Sequence, residues 1–248
     1  NTRIRFMTKS RKLFEEIDEG SDNTKTSSIE PLSIEQSSWL NIWLWTLLVS
    51  LISLILVGGW TRLTDSGLSI VEWKPITGMI PPFTSEGWIV EFEKYKSIPE
   101  FKLVNFDITM DEFKFIYWWE WGHRQLARFI GLVWFVGFLT LWIMRQIPER
   151  WTLYFFGIGL LGALQAFLGW WMVSSGLDGQ VVDVFSYRLA IHLTMAFIIL
   201  ALIFWAILFH SENSAKIFES RRHRNKVSVN ILAGLGVLCY VQLALGAL

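Results

Sequence analysis

Five long apolar segments constrain the fold of this chain more than any other feature of its sequence. A helix needs about 20 mostly apolar residues to cross the roughly 30 Å hydrocarbon layer of a membrane, and each segment is long enough. Because 52% of the 248 residues are hydrophobic and 15 are tryptophan, a water-soluble domain would have too little interior for them. The sequence therefore predicts an all-α, polytopic membrane protein with helices at about 39–60, 115–144, 151–174 and 187–210, and a fifth from 227 onward.

The spacing of these helices divides the chain into four parts. Residues 1–38 are predicted to form a polar cytoplasmic tail, and residues 39–210 a first four-helix transmembrane bundle with a long outer loop at 61–114. Residues 211–226 are predicted to form a basic cytoplasmic loop, and residues 227–248 to begin a second, duplicated bundle.

A faint internal repeat supports the duplication. The stretch QAFLG at residues 165–169 of the third helix is echoed by QLALG at residues 242–246 of the fifth. Such echoes are typical of membrane proteins built from repeated bundles. The sequence begins at Asn1 and ends within an apolar run, so we expect a part of a longer protein that includes one complete bundle.

Basic residues near the helix ends predict the orientation in the membrane. Lys and Arg concentrate in segments that should therefore be cytoplasmic, at residues 1–38, 145–150 and 211–226. The connection at 175–186 has two aspartates and no Lys or Arg, so it and the long loop are predicted to face outward. Acidic residues at 15–19 do not suit a mitochondrial transit peptide. We therefore expect a multi-pass protein of the bacterial inner membrane, rather than the mitochondrial one, with a cytoplasmic N-terminus.

The charge balance and the single cysteine exclude several classes of function. The chain has 22 basic and 22 acidic residues, so its balance does not point to a nucleic-acid partner. The lone Cys239 rules out an intrachain disulfide and a cysteine-based metal site. The expected partners are membrane lipid, other membrane proteins and a second copy of the chain.

Glu120, His123 and Arg124 bring three ionisable groups to the start of the second apolar helix. Residues three and four apart share a helix face, so all three point the same way. A charge that faces lipid costs several kcal/mol, so this face must look into the bundle or onto a bound group. On the fourth helix His192 lies at a similar depth, one turn from Arg188. Two histidines matched in depth, each with a nearby arginine, predict a heme bound between the helices.

Each polar residue has a specific role in this interpretation. His123 and His192 are the candidate heme-iron ligands, although a single histidine in a helix is as often structural. Glu120 is the candidate catalytic residue, acting in proton transfer or in stabilising positive charge on a substrate carbon. The alternative is a structural salt bridge to Arg124 or Arg128. The candidate partners of the heme carboxylates are Arg62, Arg124, Arg128 and Arg188.

Several motifs resemble those of the heme A synthase family over roughly residues 40–248. They lie at residues 57–69, 73–78, 91–96, 112–116, 120–124, 169–176 and 187–192. The resemblance implies an eight-helix protein of two similar four-helix bundles, the first acting on heme O and the second holding a heme b cofactor. It places Glu120 and His123 on the ExxH motif of the family and His192 on the histidine of the fourth helix.

The resemblance also implies a reaction. The C8 methyl group of heme O would be oxidised to the formyl group of heme A by successive hydroxylations with oxygen derived from water, for assembly of a cytochrome oxidase. Heme O synthase and oxidase assembly factors are the implied partners. The histidines for heme b would lie on later helices than this chain contains. Residues 61–114 lack the cysteine pair of some bacterial relatives, which places the chain in the branch shared by proteobacteria and mitochondria.

Two other functions compete with this enzyme. A membrane b-type cytochrome that only transfers electrons would also use paired histidines, but it gives Glu120 no role. A heme O synthase would need two aspartate-rich motifs on the cytoplasmic side, whereas Asp107 and Asp111 stand alone on the predicted outer side.

Overall fold

The structure, a computed structural model, describes residues 38–177, 181–211 and 225–248. All but the last residue of the predicted tail and most of the predicted basic loop lie outside these residues. Five of the described helices are long and apolar enough to cross a membrane. This confirms the prediction of an all-α polytopic membrane protein. The α-helices are α1 (Ser38–Leu63), α2 (Ser85–Lys96), α3 (Pro99–Leu103), α4 (Met110–Ile143), α5 (Glu149–Leu177), α6 (Ser186–Ser211) and α7 (Lys226–Gly246).

Four of the long helices form a closed ring. α1 packs against α4 and α6, α5 packs against the same two helices, and α7 packs on the outside against α6. Close approaches hold the ring together, because the Trp43 indole donates a hydrogen bond to the Val133 carbonyl at 3.0 Å and lies against Gly137, where a larger residue would not fit. The buried core of the ring, the bundle core, runs from Leu40 on α1 to Ile207 on α6.

α4 is longer than a membrane requires. Its 34 residues span about 51 Å, compared with roughly 30 Å of hydrocarbon. Its first turn is held by a capping box between Thr109 and Glu112. If the hydrocarbon layer begins at Ile143, its roughly 30 Å thickness ends near His123 along the helix axis. The N-terminal third of α4 therefore extends beyond the hydrocarbon, on the side that we call the loop side.

The connection between α1 and α4 folds over this protruding end as a loop-side cap. The composition of residues 61–114 predicted only a loop, but they contain a short 3-10 helix at Thr77–Met79 as well as α2 and α3. Thr84 caps the start of α2, and Pro99 occupies the first turn of α3. The apolar residues of the cap pack on α4 in a second core: Leu68, Ile70, Phe92, Tyr95, Ile98, Phe113, Ile116 and Tyr117.

Glu100 is a buried carboxyl group of the loop-side cap, with 6% of its surface exposed. It accepts hydrogen bonds from the Tyr95 hydroxyl at 3.1 Å and from the Asn105 amide at 3.2 Å. Burial raises the pKa of Glu100 to about 7, because the charged form is poorly solvated, although the Tyr95 bond opposes the shift. Burial likewise raises the pKa of Tyr95 above its ordinary value.

We expect the loop-side cap to lose stability as the pH rises through about 7. The folded state binds the Glu100 proton more tightly than the unfolded chain, whose pKa is near 4.5, so this stability is complete below about 4.5 and is lost above about 7. Limited proteolysis of the cap between pH 5 and 8.5 would measure the effect. Glu100→Gln, which is neutral throughout, should flatten the profile, whereas Glu93→Gln at an exposed position should not. A Glu100→Gln profile like that of the wild type would contradict the assignment.

Candidate functional site

His123 and His192 lie in a layer between the bundle core and the cap core. The bundle core reaches Ile199 on α6, and the cap core begins at Tyr117 on α4. The two imidazoles are close enough to interact electrostatically. His123 is about 30 Å along α4 from Ile143, so the layer coincides with the loop-side boundary of the hydrocarbon.

Each histidine ring faces a glycine on a neighbouring helix. The Cε1 atom of His123 lies 2.9 Å from the point that a Cβ atom would occupy at Gly58 of α1. The Cε1 atom of His192 lies 3.0 Å from the corresponding point at Gly169 of α5. Any side chain at either position would push against the imidazole. The four helices of the ring therefore contribute two glycine–histidine pairs, α1 with α4 and α5 with α6.

One nitrogen of each imidazole has no hydrogen-bond partner. The Nδ1 atoms of His123 and His192 are both buried and unpaired, whereas buried polar atoms in proteins nearly always have partners. The backbone of Leu54 contacts the first ring and that of Gln165 the second. The Gln165 amide also donates to the His192 carbonyl at 2.9 Å, which fixes α5 against α6. Two buried imidazole nitrogens without partners fit axial ligation of a heme iron.

Glu120 is buried on α4, one turn from His123, and both of its carboxylate oxygens are occupied. Oε2 accepts hydrogen bonds from the Ser69 hydroxyl and the Ile70 backbone N–H, each at 2.7 Å. Oε1 forms a salt bridge with Arg124 at 2.5 Å, and the two side chains are only 4% and 15% exposed. Arg124 in turn donates to the carbonyls of Ile70 and Glu72. The carboxylate thus ties the start of the cap to α4.

Arg128 lies deeper along α4 than Glu120. It donates to the Lys74 carbonyl at 3.0 Å and the Pro75 carbonyl at 2.9 Å. Its Nη1 atom is buried without a partner. Together with Arg124 it lines a cavity of about 330 Å³ between the cap and α4. Arg128 is therefore a candidate partner for a carboxylate in this cavity.

The two remaining candidate arginines lie near the boundary but have protein partners. Arg62 forms a salt bridge with Asp183 at 2.8 Å, and both side chains are about half exposed. Arg188 donates to the Trp171 carbonyl at 2.6 Å, and its guanidinium lies 4.4 Å from the centre of the Trp171 ring. A heme carboxylate would have to compete with these contacts or add to them.

The adjacent glycines Gly58 and Gly59 allow a controlled test of the glycine–histidine pairs. Gly58→Leu should displace the His123 imidazole and lower heme occupancy at least tenfold, because its Cβ atom alone approaches the ring to 2.9 Å. Gly59→Leu should leave heme occupancy near that of the wild type, since nothing lies within 4 Å of its added Cβ atom. The heme-to-protein ratio of the purified variants measures the effect, and equal occupancy in both would contradict the pairing.

The sequence predicted the histidines but missed the residues that position them. Gly58 and Gly169 lie within the family-like motifs, yet nothing local shows that they face His123 and His192. The only signal was a Val-Gly pair at 57–58 and a Leu-Gly pair at 168–169, one in each of two helices. Ser69 lies in another such motif, but its bond to Glu120 spans 51 residues of sequence.

The fold and the site together define a polytopic membrane protein with a paired-histidine centre between its helices. A sequence profile of the family described as "Cytochrome oxidase assembly protein" matches residues 41–248. A protein named heme A synthase from Cereibacter sphaeroides is 46% identical over 242 residues, covering 97% of this chain and 62% of the relative. A protein of the same name from Dinoroseobacter shibae is 47% identical, covering 98% of this chain and 64% of the relative. Another from Paracoccus denitrificans is 49% identical, covering 84% of this chain and 55% of the relative.

The chain belongs to the heme A synthase family of cytochrome oxidase assembly proteins. It spans between 55% and 64% of the length of these three curated relatives. No solved structure matches the chain.

Proposed function

We propose that the protein acts on heme O and oxidises its C8 methyl group to the formyl group of heme A. The observation that carries the proposal is the pair of buried, unpartnered imidazole nitrogens at one depth, in a chain 46% identical to a protein named heme A synthase. Two hydroxylations of the methyl carbon, followed by loss of water, give the formyl group and release four electrons. An electron acceptor must therefore take part.

His123 and His192 would hold the substrate iron from two helices of the ring. Gly58 and Gly169 keep the imidazoles in place, because no side chain intervenes between ring and neighbouring backbone. The bound heme would supply the redox-active iron, and the helices would set the position of its methyl group. Arg128 is our candidate for pairing with a heme carboxylate because its Nη1 atom is free of partners. Arg62, Arg124 and Arg188 would contribute by adding to the contacts they already have.

Glu120 is proposed as the catalytic residue, and its geometry favours one of two possible roles. Both oxygens already accept hydrogen bonds. Three of the roughly four lone-pair sites of the carboxylate are already occupied, and protonation would remove the negative charge that pairs with Arg124. Stabilising positive charge on the substrate carbon keeps all of these contacts. We therefore propose that Glu120 acts as a fixed negative charge beside the heme.

The wider assignments are proposals as well. α7, the predicted start of the second bundle, contains no histidine. The histidines that bind a heme b cofactor in that bundle would therefore have to lie on other helices. Heme O synthase and oxidase assembly factors are the proposed protein partners, and self-association is proposed through the lipid-facing helices. We propose that the protein resides in the bacterial inner membrane with its loop side outward and its N-terminus in the cytoplasm.

Heme analysis of cells that express the full-length gene together with a heme O synthase tests the function. Heme A should appear in extracts and be identified by its mass, and it should be absent when the heme O synthase is expressed alone. If the protein were a b-type cytochrome, it would bind protoheme and leave heme O unchanged. That outcome, with the protein present in the membrane, would overturn the proposal.

A further inference from the structure

Residues 74–83 form a segment of the cap that runs down along α4 toward the membrane and back; we call it the descending loop. Hydrogen bonds set its depth, since Arg128 holds the carbonyls of Lys74 and Pro75 and Gln125 holds that of Met79 at 2.8 Å. The chain then rises again, and Trp88 contacts Tyr117 nearer the start of α4.

The anchors of this loop lie inside the hydrocarbon layer. Arg128 is about 12 Å below Glu120 along the helix axis and only about 22 Å from Ile143. Three charged residues follow the C-terminal end of α4: Arg145, Glu149 and Arg150. Shifting the roughly 30 Å hydrocarbon layer toward that end would immerse these charges, so Ile143 marks its limit on that side. The Cα atom of Arg128 therefore lies several ångströms within the layer. Because helix side chains lean toward the N-terminus, its guanidinium and the carbonyls of the descending loop that it holds lie nearer the boundary.

The backbone of the descending loop is adapted to that environment. Irregular backbone at membrane depth is tolerated only where it is buried against protein or lines a water-filled cavity. The descending loop lies against α4 and lines the cavity that Arg124 and Arg128 also line. Within the loop, the N–H groups of Gly78, Met79 and Ile80 donate to carbonyls of the same segment. The Lys74 ammonium is paired with Glu72 at 2.5 Å.

The side chains that the descending loop exposes are large and apolar. Ile76 is 77% exposed, Ile80 69% and Phe83 80%. At the same depth and just below, α4 exposes Phe129 and Leu132 as part of its membrane-spanning surface. The exposed apolar surface of the loop is thus continuous with the lipid-facing surface of the helix.

We propose that the descending loop is a lipid-contacting element, inserted into the membrane leaflet on the loop side, with Ile76, Ile80 and Phe83 among the acyl chains. Arg128 and Gln125 anchor it there by satisfying its carbonyl groups. The cap is then attached to the membrane surface by its own apolar side chains as well as by α1 and α4.

Quenching of a fluorescent label tests the insertion. In full-length protein in which Cys239 and every cysteine outside residues 1–248 are replaced by serine, single cysteines are introduced as Ile76→Cys, Ile80→Cys and Phe83→Cys. Each variant is labelled with a nitrobenzoxadiazole dye and reconstituted in phosphatidylcholine–phosphatidylglycerol vesicles. Leu132→Cys is the lipid-facing control and Glu93→Cys, an exposed position of α2, the aqueous control. We expect iodide quenching at 76, 80 and 83 to be several-fold weaker than at 93, and quenching by acyl-chain nitroxide lipids to approach that at 132.

Two results would overturn the proposal. Iodide quenching at the three loop positions equal to that at 93 would place the loop in water. Protection from both iodide and nitroxide lipids would show that protein, such as a second copy of the chain, covers the surface instead of lipid.

The anchoring is tested separately in the same vesicles. Arg128→Met removes both carbonyl donors, so the label at position 80 should become several-fold more accessible to iodide while the label at 132 stays unchanged. If Arg128→Met does not yield folded protein, Gln125→Leu removes only the bonds near Met79 and should shift the label at 80 in the same direction. Unchanged accessibility in the folded variant would refute the anchoring role.

Discussion

Replacing His123 or His192 with leucine should abolish formation of heme A while the protein still inserts into the membrane. Leucine fills a similar volume but has no nitrogen for iron, so the substrate would lose a ligand on one side. Neither imidazole Nδ1 has a partner in the folded chain. The backbone groups of Leu54 and Gln165 that contact the rings lie inside α1 and α5, where intrahelical bonds remain, so the fold should persist. Heme pigments extracted from membranes, compared with the yield of the protein by immunoblot, measure both effects.

A third histidine provides the matched control. His210 lies at the other end of α6, where its Nδ1 atom is 2.9 Å from the Ala206 carbonyl and its ring packs on Trp151. His210→Leu should therefore reduce the yield of folded protein but leave heme A formation per molecule unchanged. A variant of His123 or His192 that makes heme A at the normal rate would remove that residue from the set of ligands.

The sequence was sufficient to predict the membrane-spanning helices, because length and hydropathy alone decide whether a segment can cross a membrane. Counting residues also placed His123 and His192 at one depth, since the rise of a helix is constant. The structure places both in one layer between the two cores. The roles of the individual site residues remain predictions.

What the sequence could not predict are contacts between residues far apart in the chain. The approach of Gly58 to His123 depends on how α1 and α4 cross, which hydropathy does not encode. The two short helices of the cap were missed for a related reason. Pro, Gly and charged residues in this stretch predicted an irregular loop, whereas packing of Phe92 and Tyr95 against Phe113 stabilises α2 on the protruding end of α4.

The arginines show the same limit at the level of single side chains. Their position near the boundary predicted pairing with heme carboxylates, but proximity to the boundary does not reveal competing partners. Arg62 has an aspartate from a distant connection, and Arg188 has an aromatic ring and a carbonyl. An unpaired buried nitrogen distinguishes Arg128, which could be recognised only once the cap was seen to fold over α4.

Replacing Glu120 with glutamine should stop or stall the oxidation without preventing folding. Glutamine still accepts hydrogen bonds from Ser69 and Ile70, and Arg124 keeps the carbonyls of Ile70 and Glu72. If the negative charge stabilises the transition state, turnover should fall on the order of 100-fold while heme still binds, so that heme O or the hydroxylated intermediate accumulates. The measurement compares heme pigments with protein yield in the same membranes.

Glu120→Leu separates the structural contribution of the same carboxylate from its chemical one. It removes the acceptor of the Ile70 N–H and the buried counter-charge of Arg124, a loss of roughly 3–5 kcal/mol for a buried pair, so little folded protein should be recovered. Glu93→Gln is the matched control, since Glu93 forms an exposed pair with Lys96 at 2.7 Å that contributes about 0–1 kcal/mol. A Glu120→Gln protein with normal yield and normal heme A would leave Glu120 with the structural role alone. Low yield with normal heme A per molecule would mean that the charge is needed to hold Arg124 rather than to act on the substrate.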